Sequence, residues 1–200
     1  MEMGMKKHLD LGCGLKPRNP YGAELTFGCD IRDIDGAIES IGFEYKKVNL
    51  IYDPIPYPND YFNSISAFDF LEHIPRVIST GAATRNSFVE LMNEIHRVLI
   101  PGGVFYAVTP AYPHISAFSD PTHVNFITDQ THYYFTGGNP GAAMYGFTGN
   151  FDAIKVEWDT QSNAYTNNTM NVRRYMRRLH RKWFRGGLSH LVWEFKACKN

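Results

Sequence analysis

Short apolar or alternating runs punctuate the first 110 residues: KHLDL at 7–11, TFGCD at 26–30, EYKKV at 44–48, NSISAF at 63–68 and GVFYAVT at 103–109. The stretches between them are long enough for crossovers, and parallel strands need connections of about a dozen residues or more. This rhythm predicts an α/β fold with a doubly wound, mostly parallel sheet covered on both faces. SFVELMNEIHRVL, residues 87–99, places Phe88, Leu91, Met92, Ile95, Val98 and Leu99 at helical spacing. Ser87 is predicted to cap this helix, and Pro101-Gly102-Gly103 to end it before the next strand. FDAIKVEW (151–158) and HLVWEFKACK (190–199) read as an antiparallel pair at the sheet edge, which makes the last strand antiparallel.

Residues 110–150 differ in kind. They are rich in Pro, Gly, His and aromatics, with a short helix expected near 128–135, and loops of such length in a compact domain usually carry function. A chain of 200 residues, 44% hydrophobic, supports one domain over 1–200 with a core that needs neither disulfides nor metal. Cys13, Cys29 and Cys198 are odd in number and lack C-x-x-C spacing, so they suggest neither a disulfide framework nor a zinc knuckle. No apolar run approaches the ~20 residues of a membrane span, and the polar start leads straight into a strand without a signal-peptide core. A cytoplasmic location is expected.

The glycine turn in LDLGCGLKPRNP, residues 9–20, narrows the ligand. A dinucleotide site has a third glycine that lets the following helix pack on the strand, with the pyrophosphate at the helix N-terminus. Pro17 occupies that position and Pro20 follows, so a regular helix cannot begin there. No G-x-x-x-x-G-K-[ST] loop occurs either. What remains is a tight turn at Gly12 and Gly14, Asp10 two residues before it, and Asp30 at the end of the next strand. A carboxylate at that strand end accepts both hydroxyls of a ribose, which suits a nucleoside without demanding phosphates.

Four elements in order, HLDLGCG, FGCDI, VNLIYDPIPYPNDYFNSISAFDFLEHIPR and ELMNEIHRVLIPGGVFYAVTP, resemble class I S-adenosylmethionine-dependent methyltransferases. The resemblance covers residues 7–110 well and the two final strands loosely. It implies a Rossmann-like domain that binds S-adenosylmethionine and releases S-adenosylhomocysteine. Carried over, Gly12 and Gly14 approach the methionine part, Asp10 orients the loop and the amino group, and Asp30 takes the ribose hydroxyls. Ile31 packs on adenine, and Asn49, with Leu50 beside it, stands where the family usually has an Asp for the adenine amino group. Phe68 ends the fourth strand, where main chain meets the methionine amino group. Two departures are Lys16 in place of the common third glycine, where it is placed to hold the methionine carboxylate, and Asn63 in place of the usual Asp of the fourth strand.

Methyl transfer from a sulfonium needs alignment of acceptor, methyl and sulfur, and a hydroxyl acceptor is helped by a base. The candidate bases are His73, near Asp69 and Glu72, and His123, near Asp120. The alternatives are a helix-start residue for His73 and a loop-packing residue for His123. Histidines 114, 123 and 132 with Asp120 have no recognised ligand spacing, so no metal is expected. With the first strand beginning near residue 7, the acceptor's cover is expected from residues 110–150. Tyr112, Asp120 and Asn125 are candidate substrate contacts, and Phe118, Phe126, Tyr133, Tyr134 and Tyr145 are further aromatic faces, for an acceptor or for packing the lid. DPIPY, 53–57, resembles the D-P-P-Y of amino-methylating DNA enzymes but precedes the fourth strand instead of following it.

Charge is divided along the chain. Residues 1–159 carry 11 Lys and Arg against 19 Asp and Glu, and residues 160–200 carry 9 against 1. A basic amphipathic helix is expected at 170–187, with Arg173, Arg174, Arg177, Arg178, Arg181 and Arg185 partly separate from Val172, Met176, Leu179 and Trp183. It either docks on the acidic body or meets an anionic partner. The expected function is methyl transfer to a small-molecule or glycan acceptor, at oxygen. The alternatives are an RNA or protein methyltransferase recruited by the Arg-rich helix, and a cofactor-binding domain that transfers nothing.

Overall fold

The structure, a computed structural model, describes residues 4–34, 43–81, 83–165, 172–184 and 187–199. The side chains of Arg174, Arg177 and Arg181, and all of Arg185, lie outside the described residues. The chain runs β1 (Lys7–Leu11), β2 (Leu25–Asp30), β3 (Glu44–Lys47), β4 (Phe62–Phe68), β5 (Ile78–Thr80), β6 (Ala83–Arg85), α1 (Ser87–Val98) and β7 (Leu99–Pro110). It continues with α2 (Ser116–Ser119), β8 (Phe151–Asp159), α3 (Gln161–Ala164), α4 (Val172–Phe184) and β9 (His190–Ala197). Seven strands form one sheet in the order β3-β2-β1-β4-β7-β9-β8. The first five are parallel, and β9 is antiparallel to both of its neighbours. This is the doubly wound, mostly parallel architecture with an antiparallel last strand.

Side chains alternate across the strands, and the two faces are covered differently. Leu9, Leu11, Ile65, Phe105 and Phe195 point toward α1, whose buried stripe of Phe88, Leu91, Met92, Ile95 and Val98 closes the main core. The opposite face carries His8 and Asp10 of β1 and Ser64 and Ser66 of β4, all buried. No helix follows β1, and residues 12–24 cross this face as irregular chain, consistent with Pro17 and Pro20. Polar groups under a loop must pair. Ser66 donates to Asp10 Oδ1 at 2.5 Å, so His8 Nε2 donates to Ser66 Oγ (2.9 Å) and its Nδ1 accepts from Ser64 (2.8 Å). Burial pushes His8 down to about 4, against a weaker upward pull from the Arg18 backbone.

Three local expectations are corrected. Pro101-Gly102-Gly103 does not separate helix from strand: α1 stops at Val98, β7 begins at Leu99, and the three residues sit inside it. There Phe62 pairs with Leu99 and Ser64 with Val104, so the extra residues make a bulge, which Gly102 relieves with φ 75°. Ser87 does not cap; Asn86 holds the cap position without a side-chain bond, and Ser87 Oγ is buried and unpaired. The helix expected near 128–135 is a single 3-10 turn, Thr131–Tyr134.

The pairing of Pro110 with His190 and of His190 with Asp159 brings the start of β9 and the end of β8 to the sheet edge where β1, β2, β4 and β7 end. That carboxyl edge is where ligands of open α/β sheets bind.

Candidate active site

The glycine turn is fixed by its neighbour strand. The N–H groups of Gly12 and Cys13 both donate to Cys29 C=O, at 2.8 and 3.2 Å, and φ values of 65° and 58° at Gly12 and Gly14 require residues without Cβ strain. Asp30 completes the turn: Oδ2 accepts from Gly14 N–H at 2.8 Å and Oδ1 from Arg32 N–H at 3.0 Å. A carboxylate offers about four lone-pair positions, so two remain for other donors. Two side chains, Phe70 and Arg32, lie over the turn. A Cβ on Gly12 would sit 2.5 Å from the Phe70 ring, and one on Gly14 would sit 2.9 Å from Arg32 Nη1.

Asp10 lies beneath the turn, 1% exposed, with Oδ2 accepting from Arg18 N–H at 2.8 Å. Burial, added to by the Asp30 charge and partly offset by Ser66 and Arg18, pushes it up to about 7. Asp10 therefore orients the loop from below. Lys16 is exposed on the loop, and Ile31 is 59% exposed beside Asp30. Asn49 is half-buried, its amide oxygen accepting from Ile51 N–H at 3.2 Å, while Leu50 is buried in the main core. Phe68 is buried at the end of β4, beneath the Arg18 guanidinium at 4.9 Å.

The fit to a phosphate-free nucleoside rests on these features. The two glycines of the turn add no side chains and Cys13 between them is buried, Asp30 keeps spare acceptor capacity, Ile31 offers an exposed apolar face, and no helix begins within residues 12–24 to hold a pyrophosphate.

Past Phe68 the chain turns sharply, with Asp69 at φ 47°. Its Oδ2 accepts from Gln161 Nε2 at 2.7 Å and from Tyr165 OH, and its Oδ1 stands 3.2 Å from His190 Nε2, at ion-pair distance without hydrogen-bond geometry. Burial alone would raise this carboxyl, but His190, Tyr165 and Gln161 outweigh it and hold it below its ordinary value. This second group spans the ends of β4, β8 and β9. The sequence reading missed it, and its one signal is the polar residue directly after an apolar strand.

The 3-10 turn Leu71–His73 carries the third group. Glu72 C=O accepts the N–H groups of Val124 and Asn125, both at 2.9 Å. Buried Asn125 clamps the same turn, donating to Leu71 C=O at 3.2 Å and accepting from Arg76 Nε at 2.9 Å, while Arg76 also donates to Phe126 C=O. This stapling brings His73 and His123 together, their ring centres 4.9 Å apart. His123 Nδ1 donates to Ala117 C=O at 3.2 Å, so in the neutral ring the acceptor nitrogen is Nε2, 3.9 Å from Glu72 Oε1. Asp120 is exposed and accepts from Thr122 N–H (2.8 Å) and OH (2.6 Å), bonds that lower its carboxyl. Glu72 is 1% exposed, with Oε2 accepting from Thr109 at 2.9 Å. Burial first, then the charges of Asp69 and Asp120, push it up to about 8.

Tyr112 is exposed, with Phe118 edge-on at 6.3 Å and Phe126 beyond it at 4.8 Å from Phe118. A cavity of about 470 Å³ lies beside the clamp, lined by Arg76, Phe88, Thr128, Tyr134, Phe135 and Tyr145 among others. Gly12, Asp30 and Phe68 do not line it, so it is separate from the glycine turn.

No family model matches the chain. No curated protein matches it either. Solved structures do. An S-adenosylmethionine-dependent methyltransferase from Mesorhizobium loti superposes with TM-score 0.59 at 15% identity, covering 98% of this chain and 93% of its own. One from Archaeoglobus fulgidus gives 0.57 at 18%, covering 98% and 87%. The [4+2]-cyclase SpnF gives 0.59 at 14%, covering 98% and 76%. The chain has the fold of class I S-adenosylmethionine-dependent methyltransferases. At these identities the likeness establishes the fold, and SpnF shares that fold under the name of a cyclase.

Proposed function

We propose that the chain is an S-adenosylmethionine-dependent methyltransferase that methylates a hydroxyl of a small-molecule or glycan acceptor. What carries this reading is the meeting of His73 and His123 beside Glu72, at the turn that follows β4, the neighbour of the strand that ends in the glycine turn. Gly12, Gly14, Asp30 and Ile31 would hold the cofactor, with Asp10 and Asn49 supporting the chain around it. When bound, S-adenosylmethionine supplies an activated methyl on a sulfonium. The protein's own residues orient the acceptor and take its proton. His123 Nε2 is the proton acceptor, since Ala117 C=O fixes its tautomer and the side chain is only 9% exposed. Tyr112, Phe118 and Phe126 offer aromatic faces to a ring or sugar.

The test is S-adenosylhomocysteine production over a panel of hydroxyl acceptors. His123→Ala should lower turnover by about 10²–10⁴-fold with cofactor affinity unchanged. Undiminished turnover in that variant would remove His123 as the base.

A second reading, an anionic macromolecular acceptor recruited by α4, is favoured by one observation. Val172, Tyr175, Met176 and Trp183 are exposed on a helix that also carries five arginines and a lysine. Against it, Arg178 pairs with Glu157 of β8 at 3.0 Å, which ties the helix to the body.

A further inference from the structure

We infer that Glu72, His73 and His123 form a binding site for one divalent transition-metal cation. One donor atom from each lies within 4.8 Å of the others, and among the described residues no other group of three His, Cys, Asp or Glu meets this condition. The histidines at 114 and 132, which the chain spacing brings to notice, are not part of it.

Three features separate this cluster from a chance grouping. Glu72 is almost wholly buried, and its Oε1 has no hydrogen-bond partner, while Oε2 is satisfied by Thr109. A buried carboxyl oxygen beside two imidazoles with no hydrogen-bond partner keeps its lone pairs open to a cation, which on binding displaces the proton that burial favours. Both rings also have the outer partners that ligating histidines have. His123 Nδ1 is held by Ala117 C=O. Thr122 spends its hydroxyl hydrogen on Asp120, so His73 Nδ1 donates to Thr122 Oγ1 at 3.0 Å. In its neutral form each ring therefore has Nε2 as the nitrogen open to a metal. Finally, the three residues come from two segments stapled together by the bonds of Val124 and Asn125 to Glu72 C=O, so the donors are positioned by backbone.

Two imidazoles and one carboxylate select Zn²⁺, Co²⁺, Mn²⁺, Fe²⁺ or Ni²⁺ over Mg²⁺ or Ca²⁺, and three protein ligands leave positions open. Donors around one such ion stand about 3.0–3.5 Å apart for bonds of about 2.1 Å. The cluster must therefore close by roughly an ångström, which half-exposed His73 permits. Resting on the methyltransferase reading, the open position takes the acceptor hydroxyl. The ion lowers that hydroxyl's pKa, so its proton leaves to water as the new O–C bond forms and the S–C bond breaks. His123 then serves as a ligand, and activation passes from proton acceptance to coordination.

The test is calorimetry of EDTA-treated, dialysed protein with Zn²⁺ and with Co²⁺, the latter also followed by visible absorption. Wild type should bind one equivalent saturably. Glu72→Gln, His73→Ala and His123→Ala should each weaken binding by more than about tenfold, and His114→Ala should not. His73→Ala guards against misfolding, because that side chain is half-exposed and outside the core. Absent saturable binding, or equal affinity in wild type and all three variants, overturns the site. Titration with S-adenosylhomocysteine separates the two readings. Protein that binds it but no metal refutes this inference alone, and protein that binds metal but not the nucleoside refutes the methyltransferase reading alone.

Discussion

Gly28 lies in the middle of β2, between Asp10 of β1 and Tyr45 of β3, where a glycine weakens a strand unless something needs the space. Here the space belongs to Cys13. A Cβ on residue 28 would lie 2.6 Å from Cys13 Sγ, 3.3 Å from Phe43 Cε2 and 3.5 Å from Cys13 Cβ. Cys13 is buried and sits between the two glycines of the turn, so its sulfur has little room to retreat without moving the loop. Overpacking of this kind costs about 1–3 kcal/mol, so Gly28→Ala should lower the midpoint of thermal unfolding by a few degrees to about 10 °C. Removing the sulfur should relieve the clash, because what remains is the ordinary 3.5 Å contact and a Phe43 ring that shifts by tenths of an ångström. Cys13→Ala alone should cost about 1 kcal/mol through lost burial. In urea unfolding of the four proteins, the double variant should be no less stable than Cys13→Ala, a coupling of about 1–3 kcal/mol. Additive losses, or a Gly28→Ala protein within about 0.5 kcal/mol of wild type, would refute the packing of Cys13 over β2.

Asp69→Asn should keep the backbone turn, since asparagine tolerates positive φ, but lose the charge that meets His190. Because the folded pKa of Asp69 lies below its ordinary 3.8, its contribution is present above about pH 3.8 and is lost as pH falls through the folded value. The stability gap between wild type and variant should shrink on acidification below about pH 4; a gap that stays constant from pH 6 to pH 3 contradicts this. Arg178→Ala should destabilise by less than about 1 kcal/mol in urea unfolding, as both partners of its pair with Glu157 are partly solvated, and a larger loss would mean that α4 is part of the core.

The strands were legible because their apolar runs are short, dense and separated by crossover-length stretches. The absence of a helix after β1 was legible too, because Pro17 and Pro20 act locally. What failed was local chemistry decided by distant partners. Pro101-Gly102-Gly103 reads as a helix stop, yet the pairing of β7 with β4 absorbs it as a bulge. Ser87 has the composition of a cap, but packing buries its hydroxyl. The hairpin of β5 and β6 is too short and too exposed to announce itself by pattern. At the site, His73 and His123 could be singled out one at a time, but their meeting depends on the bonds from residues 124 and 125 to Glu72. The ring of Asp69, Gln161, Tyr165 and His190 joins strand ends about a hundred residues apart, and no spacing rule reaches that far.

The most direct measurement is calorimetry with S-adenosylhomocysteine on wild type and Asp30→Ala. Single-site binding is expected for wild type. Loss of the charged acceptor should weaken it by about 10–100-fold, the equivalent of a charge-assisted hydrogen bond of about 1.5–3 kcal/mol. No binding to wild type, equal affinity in the variant, or tighter binding of a phosphorylated dinucleotide would contradict a phosphate-free nucleoside at the glycine turn.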